Sequence, residues 1–319
     1  MSNLALYLIS VAIWGSTWLA IKFQLGTVAP AVSVVWRFTL AALMLLGYAC
    51  LRRLPLRYNL RQHGWLALQG LCLYGVSYVG IYIAEQSLTS GMVAVLYSLT
   101  VPLNILGVAV FFGTRLKPHV LLGAALGLAG LLLMFWPQLA PATGAGGART
   151  LHGMVATLIA VCFSSLGNMV ATRTQRSGLA IVPANGWSML YGVACVAAYA
   201  RLAGEPFRFD GSLPYGLSLL YLALFGSVIA FTAYLTLLGR IGAHRAGYCS
   251  VAIPVVALLL STLFEQLQWH WPMLLGVALC VLGNVMVLGR DRRPAPHRST
   301  AAGAHPVQRP APAPTRTDH

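Results

Sequence analysis

From residue 4 to residue 289 the sequence is a succession of apolar runs, each about 20 residues long, parted by short connections that hold most of its basic residues. A run of that length crosses the hydrocarbon of a bilayer as one helix, because every backbone N–H and C=O must be satisfied within the segment. Breakers divide the runs into ten spans, at about 4 to 24, 31 to 51, 64 to 84, 90 to 112, 118 to 136, 151 to 172, 182 to 202, 214 to 238, 243 to 264 and 272 to 289. Pro30, Pro55, Pro118, Pro137, Pro183, Pro214 and Pro272 fall at the loops, where a missing N–H is least costly. The expected fold class is all-α and integral to the membrane, with ten transmembrane helices.

Composition decides against the soluble alternatives. Only 8% of the residues are charged and 58% are hydrophobic, whereas a soluble domain carries about 25% charge to face water. The net charge of +15 would suit nucleic acid only on a folded basic face, and here the 21 Lys and Arg lie between apolar runs or in the tail. The partners expected are therefore the lipid bilayer and a small-molecule substrate, not nucleic acid, with a homodimer left open. The six cysteines fall in or at the ends of apolar runs without CxxC spacing, so they read as buried small apolar residues, and no metal site or cofactor is expected. The N-terminus has no basic n-region and no A-x-A cleavage site, so it reads as the first span.

Orientation follows from the basic loops, which are retained in the cytoplasm. Arg52, Arg53, Arg57, Arg61, Arg115, Lys117, Arg173, Arg176, Arg240, Arg245 and six tail arginines share one side, against Lys22, Arg149, Arg201 and Arg208 on the other. Both termini are expected in the cytoplasm.

The two halves resemble each other. AVLYSLTVP from Ala94 matches AGYCSVAIP from Ala246, with Ala, Ser and Pro coinciding at steps of four, and GAALGLAG from Gly123 matches GVALCVLG from Gly276. Small residues at such spacing permit close helix packing in lipid, but two motifs in the same order in each half indicate a repeat. Five spans per half turn the second half upside down, the arrangement of secondary transporters with a midplane site. The expected domains are a first five-helix repeat (1–136), a Gly/Ala-rich linker (137–150), a second repeat (151–289) and a Pro/Ala/Arg-rich tail (290–319) that cannot bury enough apolar area to fold.

WGSTWLAIK (Trp14 to Lys22), WRFTLAALML from Trp36, SLTVP, LLGAALGLAGLLL, and LFGSVIAFTAYLTLL from Leu224 followed by a Pro-containing span and Glu265 resemble the EamA-type branch of the drug/metabolite transporter superfamily. The resemblance implies a bacterial inner-membrane carrier of ten helices in two inverted repeats, commonly an exporter of amino acids or other small metabolites. One departure is Thr114, which stands where such proteins usually carry a second glutamate.

All eight histidines and all six acids lie at span ends, in loops or in the tail, so no acid/base pair or catalytic triad can assemble at depth and no enzyme is expected. A P-loop is also lacking, which leaves facilitated diffusion, exchange, or coupling through Glu85 or Glu265. Arg37 lies inside the second span at a depth of about 9 Å by helical rise, where an arginine costs up to about 3 kcal/mol unless it faces protein or water. It either pairs with Glu85 or Glu265 or contacts substrate. Lys22, at the end of span one, either snorkels to the interface or guards the outer mouth. Trp14 and Trp18 lie one turn apart, and Tyr74, Tyr78 and Tyr82 form a stripe at steps of four whose hydroxyls favour the bundle over the acyl chains. Asn168, beside Ser164 and Ser165, is a candidate cavity wall, and Tyr97 and Tyr248 on spans four and nine complete the substrate-binding candidates. Pro102 and Pro254 each remove a mid-span hydrogen bond and are the gating candidates. A cavity of tyrosine, tryptophan and amide groups with two cations and no deep acid favours a small carboxylate with an apolar or aromatic body. The expected function is secondary transport, with export of neutral or aromatic amino acids by alternating access. Uptake or exchange of another small organic anion, or a non-transporting sensor, is the alternative.

Overall fold

A computed structural model describes residues 1–113, 115–139, 145–231, 233–234, 236–237, 240–241 and 249–289, with the side chains of 137–139 and 145–146 excepted. The readings made of Thr114, Tyr248 and the tail fall outside the described residues.

The described chain is helical. Helix α1 (Asn3–Lys22) begins where the Ser2 hydroxyl accepts the Ala5 N–H, and α2 (Pro30–Leu51) begins on a proline whose missing N–H would be unpaired anyway. A longer helix runs from residue 60 to 85 in three pieces. They are α3 (Leu60–Gln69), opened by a reciprocal Asn59–Gln62 capping box, a wide π turn over Gly70–Val76, and α4 (Ser77–Glu85). The next apolar run is split into α5 (Ser90–Tyr97) and α6 (Thr100–Phe112). Then follow α7 (Pro118–Leu139), α8 (Ala145–Arg176), α9 (Ile181–Leu202) and α10 (Leu213–Tyr221), which passes into a second π segment, Leu222–Ile229. The last two described helices are α11 (Cys249–Phe264) and α12 (Trp271–Gly289).

Eight helical stretches are long and apolar enough to cross a membrane, and two shorter apolar stretches, 213–229 and 249–264, accompany them. Leucines such as Leu43, Leu122, Leu132, Leu259 and Leu263 stand exposed on the outside, as lipid-facing residues do, while the polar groups turn inward. Two boundaries differ from the sequence reading. The segment 137–150 reads as a loop, yet α7 reaches Leu139 and α8 starts at Ala145, so helix enters it from both ends. The matched prolines also behave differently: the helix breaks at Ser98 and Leu99 just before Pro102, whose ring crowds the carbonyl four residues back, whereas Pro254 lies inside the continuous α11.

Packing is closest where side chains are smallest. Helices α7 and α12 meet along Gly123, Gly130, Gly276 and Gly283, and a Cβ added to Gly276 would lie 2.8 Å from that of Met134. Helix α2 packs on α9, α4 on α8, and α1 on α5 and α11. One central core gathers Trp18, Phe38, Tyr74, Tyr82 and Phe135 among buried aliphatic residues.

Candidate substrate site

The aromatic stripe of α4 and its preceding π segment faces this core. Phe38 of α2 packs against Tyr74 and Tyr78, with ring centroids 5.3 and 4.6 Å apart. The Arg37 guanidinium lies over both the Tyr78 and Phe38 rings, at 4.8 and 5.2 Å, so two π faces meet the cation. Trp18 reaches the same region edge-on to Tyr97, 5.2 Å away. The Tyr97 hydroxyl donates to Ser164 Oγ at 2.7 Å and lies 3.4 Å from Ser77 Oγ. Tyr82, fully buried, donates to Gln24 Oε1, and its hydroxyl interacts with the Arg37 guanidinium.

Arg37 is 3% exposed, and its Nε and Nη1 have no hydrogen-bond partner. The ion pair with Glu85 or Glu265 expected of it does not form. Glu265 is taken instead by Lys22, whose Nζ lies 3.4 Å from Glu265 Oε1 and donates to the backbone carbonyls of Glu85 and Leu88. Glu265 Oε2 accepts hydrogen bonds from the Ser90 N–H and hydroxyl and from the Ser261 hydroxyl. Lys22 therefore neither snorkels nor stands free: it ties the ends of α1, α4 and α11 to the start of α5. Short reach explains the choice, since Lys22 ends its helix at the level where α4 and α11 also end, while Arg37 is held two turns inside α2.

Glu85 departs from the reading of an acid at a span end. It ends α4, yet it is 1% exposed with both carboxylate oxygens unpartnered. Gln24 Nε2 and the Tyr74 hydroxyl are likewise buried and unpartnered.

Two candidates lie apart from this group. The Trp14 indole donates to the Gly226 carbonyl at 3.0 Å, and its ring packs on Phe231 and Tyr234. Asn168 donates to Asn104 Oδ1 at 3.3 Å, which joins α8 to α6. Gly226 makes room for Thr17: a Cβ there would lie 2.9 Å from the Thr17 methyl group, while Arg37 Nη2 would stay at an ordinary contact distance of 3.7 Å. Gln24, Phe38, Ser90 and Ser261 belong to these clusters and were not singled out by sequence. A signal existed for Ser261, which precedes Glu265 by one helical turn.

Apolar helices enclosing a buried cation among tyrosines suit a polytopic membrane transporter, since ionisable groups inside such a bundle mark substrate or ion pathways. The description of the EamA-like transporter family matches residues 1–136 and 151–289, and the chain belongs to that family. It is 31% identical over 301 residues to the uncharacterized inner membrane transporter YedA of Escherichia coli, covering 91% of each chain. It is also 26% identical to the protein PecM of Dickeya dadantii, over 89% of this chain and 93% of that one. A probable amino-acid metabolite efflux pump of Escherichia coli matches at 26% identity, over 87% of this chain and 92% of its own length. The family and the transporters among these relatives mark the chain as a transporter and not an enzyme. A solved crystal structure, 20% identical, superimposes with a TM-score of 0.62 over 89% of this chain and 96% of its own, a likeness of fold alone.

Proposed function

We propose that the protein exports small metabolites, neutral or aromatic amino acids above all, across the bacterial inner membrane by alternating access. The observation that carries this reading is Arg37: a guanidinium 3% exposed, lying over Tyr78 and Phe38, with two nitrogens unpartnered. A cation so held attracts a carboxylate, and the rings around it supply contact area for an apolar or aromatic body. The relative named as a probable amino-acid metabolite efflux pump supports both the direction and the cargo.

The same reading includes ten spans in two inverted repeats, 1–136 and 151–289, joined by 137–150. The seam between α7 and α12 supports it, because the two runs that match in sequence are the two that pack together. The π segments support it as well: they begin 152 residues apart, the offset that also separates Ala94 from Ala246. Both termini then lie in the cytoplasm, and single cysteines at Gln62 and Gly144 label from opposite sides with an impermeant thiol reagent. Equal labelling in intact cells removes the inverted arrangement.

The function is tested by overexpression. Cells gain resistance to toxic analogues of neutral or aromatic amino acids, and Arg37→Ala abolishes it more fully than Lys22→Ala. Resistance to quaternary ammonium compounds without resistance to the analogues overturns the reading.

A further inference from the structure

Among the described acidic side chains, Glu85 alone is buried with neither oxygen hydrogen-bonded. The cation nearest in the chain's architecture, Lys22, is committed elsewhere: it pairs with Glu265 and touches Glu85 only at its backbone carbonyl. The fields of Lys22, Glu265 and Arg37 all reach the Glu85 carboxylate, and Tyr82 stands one turn before it, yet Arg37 and Glu85 form no ion pair. A guanidinium and a carboxylate thus lie within each other's influence, each with open hydrogen-bonding capacity, separated by more than contact distance. Unmet polar groups of opposite sign inside one apolar core are strongly unfavourable unless a ligand answers both.

We propose, on the basis of the amino-acid reading above, that Glu85 receives the ammonium group of a zwitterionic substrate whose carboxylate is received by Arg37. Charge balance selects this ligand class. With all four groups ionised, Lys22 and Arg37 offset Glu85 and Glu265, two against two, and the set is neutral before binding. A zwitterion leaves it neutral; a monocarboxylate adds an uncompensated negative charge, and an amine an uncompensated positive one. A site with a dedicated acceptor rejects a ligand that lacks the matching donor, because the acceptor is left unpaired in the complex. Specificity for the free α-amino group therefore resides in Glu85, while Arg37 serves any carboxylate.

The test uses the full-length protein in proteoliposomes, with counterflow of labelled L-phenylalanine and competition by 3-phenylpropionate and phenethylamine. Wild type is expected to be competed by unlabelled phenylalanine at concentrations at least about tenfold lower than by either analogue, the direction set by the missing hydrogen-bond partner. Glu85→Gln is expected to erase the preference over 3-phenylpropionate, and Arg37→Gln to weaken both carboxylates together. Wild type competed equally by 3-phenylpropionate and phenylalanine overturns the proposal while leaving amino-acid transport intact, and this arm needs no variant to fold. An unchanged preference in a well-folded Glu85→Gln protein also overturns it. Absence of any phenylalanine flux in wild type defeats both this proposal and the export reading.

Discussion

Lys22 and Arg37 are both cations drawn into the helical bundle, and the protein treats them oppositely. Lys22 is saturated by its own chain, with one carboxylate and two backbone carbonyls, and the carboxylate is saturated in turn by Ser90 and Ser261. Arg37 has rings above it and two unpartnered nitrogens. A charge whose hydrogen bonds are all internal supports the fold; one whose bonds are left open is available to cargo. On the function proposed above, the cluster at the helix ends belongs to closure and the deeper cation to recognition.

The largest effect that separates the two is expected from Arg37→Met. Removing this charge breaks no ion pair, and the Tyr82 hydroxyl that loses its contact keeps its bond to Gln24, so thermal stability should hold or rise while transport falls by about a hundredfold, the order of about 2.7 kcal/mol of lost binding. Melting in detergent beside the initial exchange rate reads both, and a variant that melts early yet transports would reverse the assignment. The opposite pattern is expected of Glu265→Gln. Here Lys22 is deprived of its counter-ion in a half-buried setting, 26% exposed against 13% for the glutamate, and a loss of about 1–2 kcal/mol of stability follows, discounted for that exposure. A double-mutant cycle sharpens the contrast: Lys22→Met with Glu265→Gln should couple by about 1 kcal/mol, whereas Arg37→Met with Glu85→Gln in substrate-free protein should couple less, because no ion pair joins them. The smallest effect belongs to Asn168→Ala. Its bond to Asn104 is worth about 0.6 kcal/mol in a membrane bundle, and exchange rates should be unmoved; a tenfold loss of transport would bring Asn168 back into the cavity wall.

The helices themselves were legible because a bilayer leaves the backbone few options: apolar length and proline position sufficed to find α1, α2, α9 and α12 nearly to the residue. The aromatic surround of Arg37 was legible for a related reason, since a tyrosine stripe at steps of four has a polar edge that lipid does not accept. Partner choice was not. Lys22 finds Glu265 across 243 positions of sequence, and nothing local to either residue says which of two glutamates it meets. Burial of Glu85 was hidden because a span end in sequence is an interface by default, and only tertiary packing removes the water from it. The π segments were hidden too: Gly70–Val76 reads as ordinary helix, and its widening is a tertiary event where Gly70 meets the backbone of Gly192 on α9.

The glycine seam has a mechanical consequence. Most helix pairs slide on a layer of interlocking side chains, and that layer yields by changing rotamers. Between α7 and α12 there is no such layer at Gly123, Gly130, Gly276 and Gly283, since backbone lies against backbone and Cys280 Sγ reaches across to the Gly127 carbonyl at 3.3 Å. The two helices are expected to move as a single stiff axle, so that any rocking of the remaining bundle would have this line as its fixed reference, as the boards of a book have its spine. A methyl group added at any of the four would loosen the axle without touching the cargo.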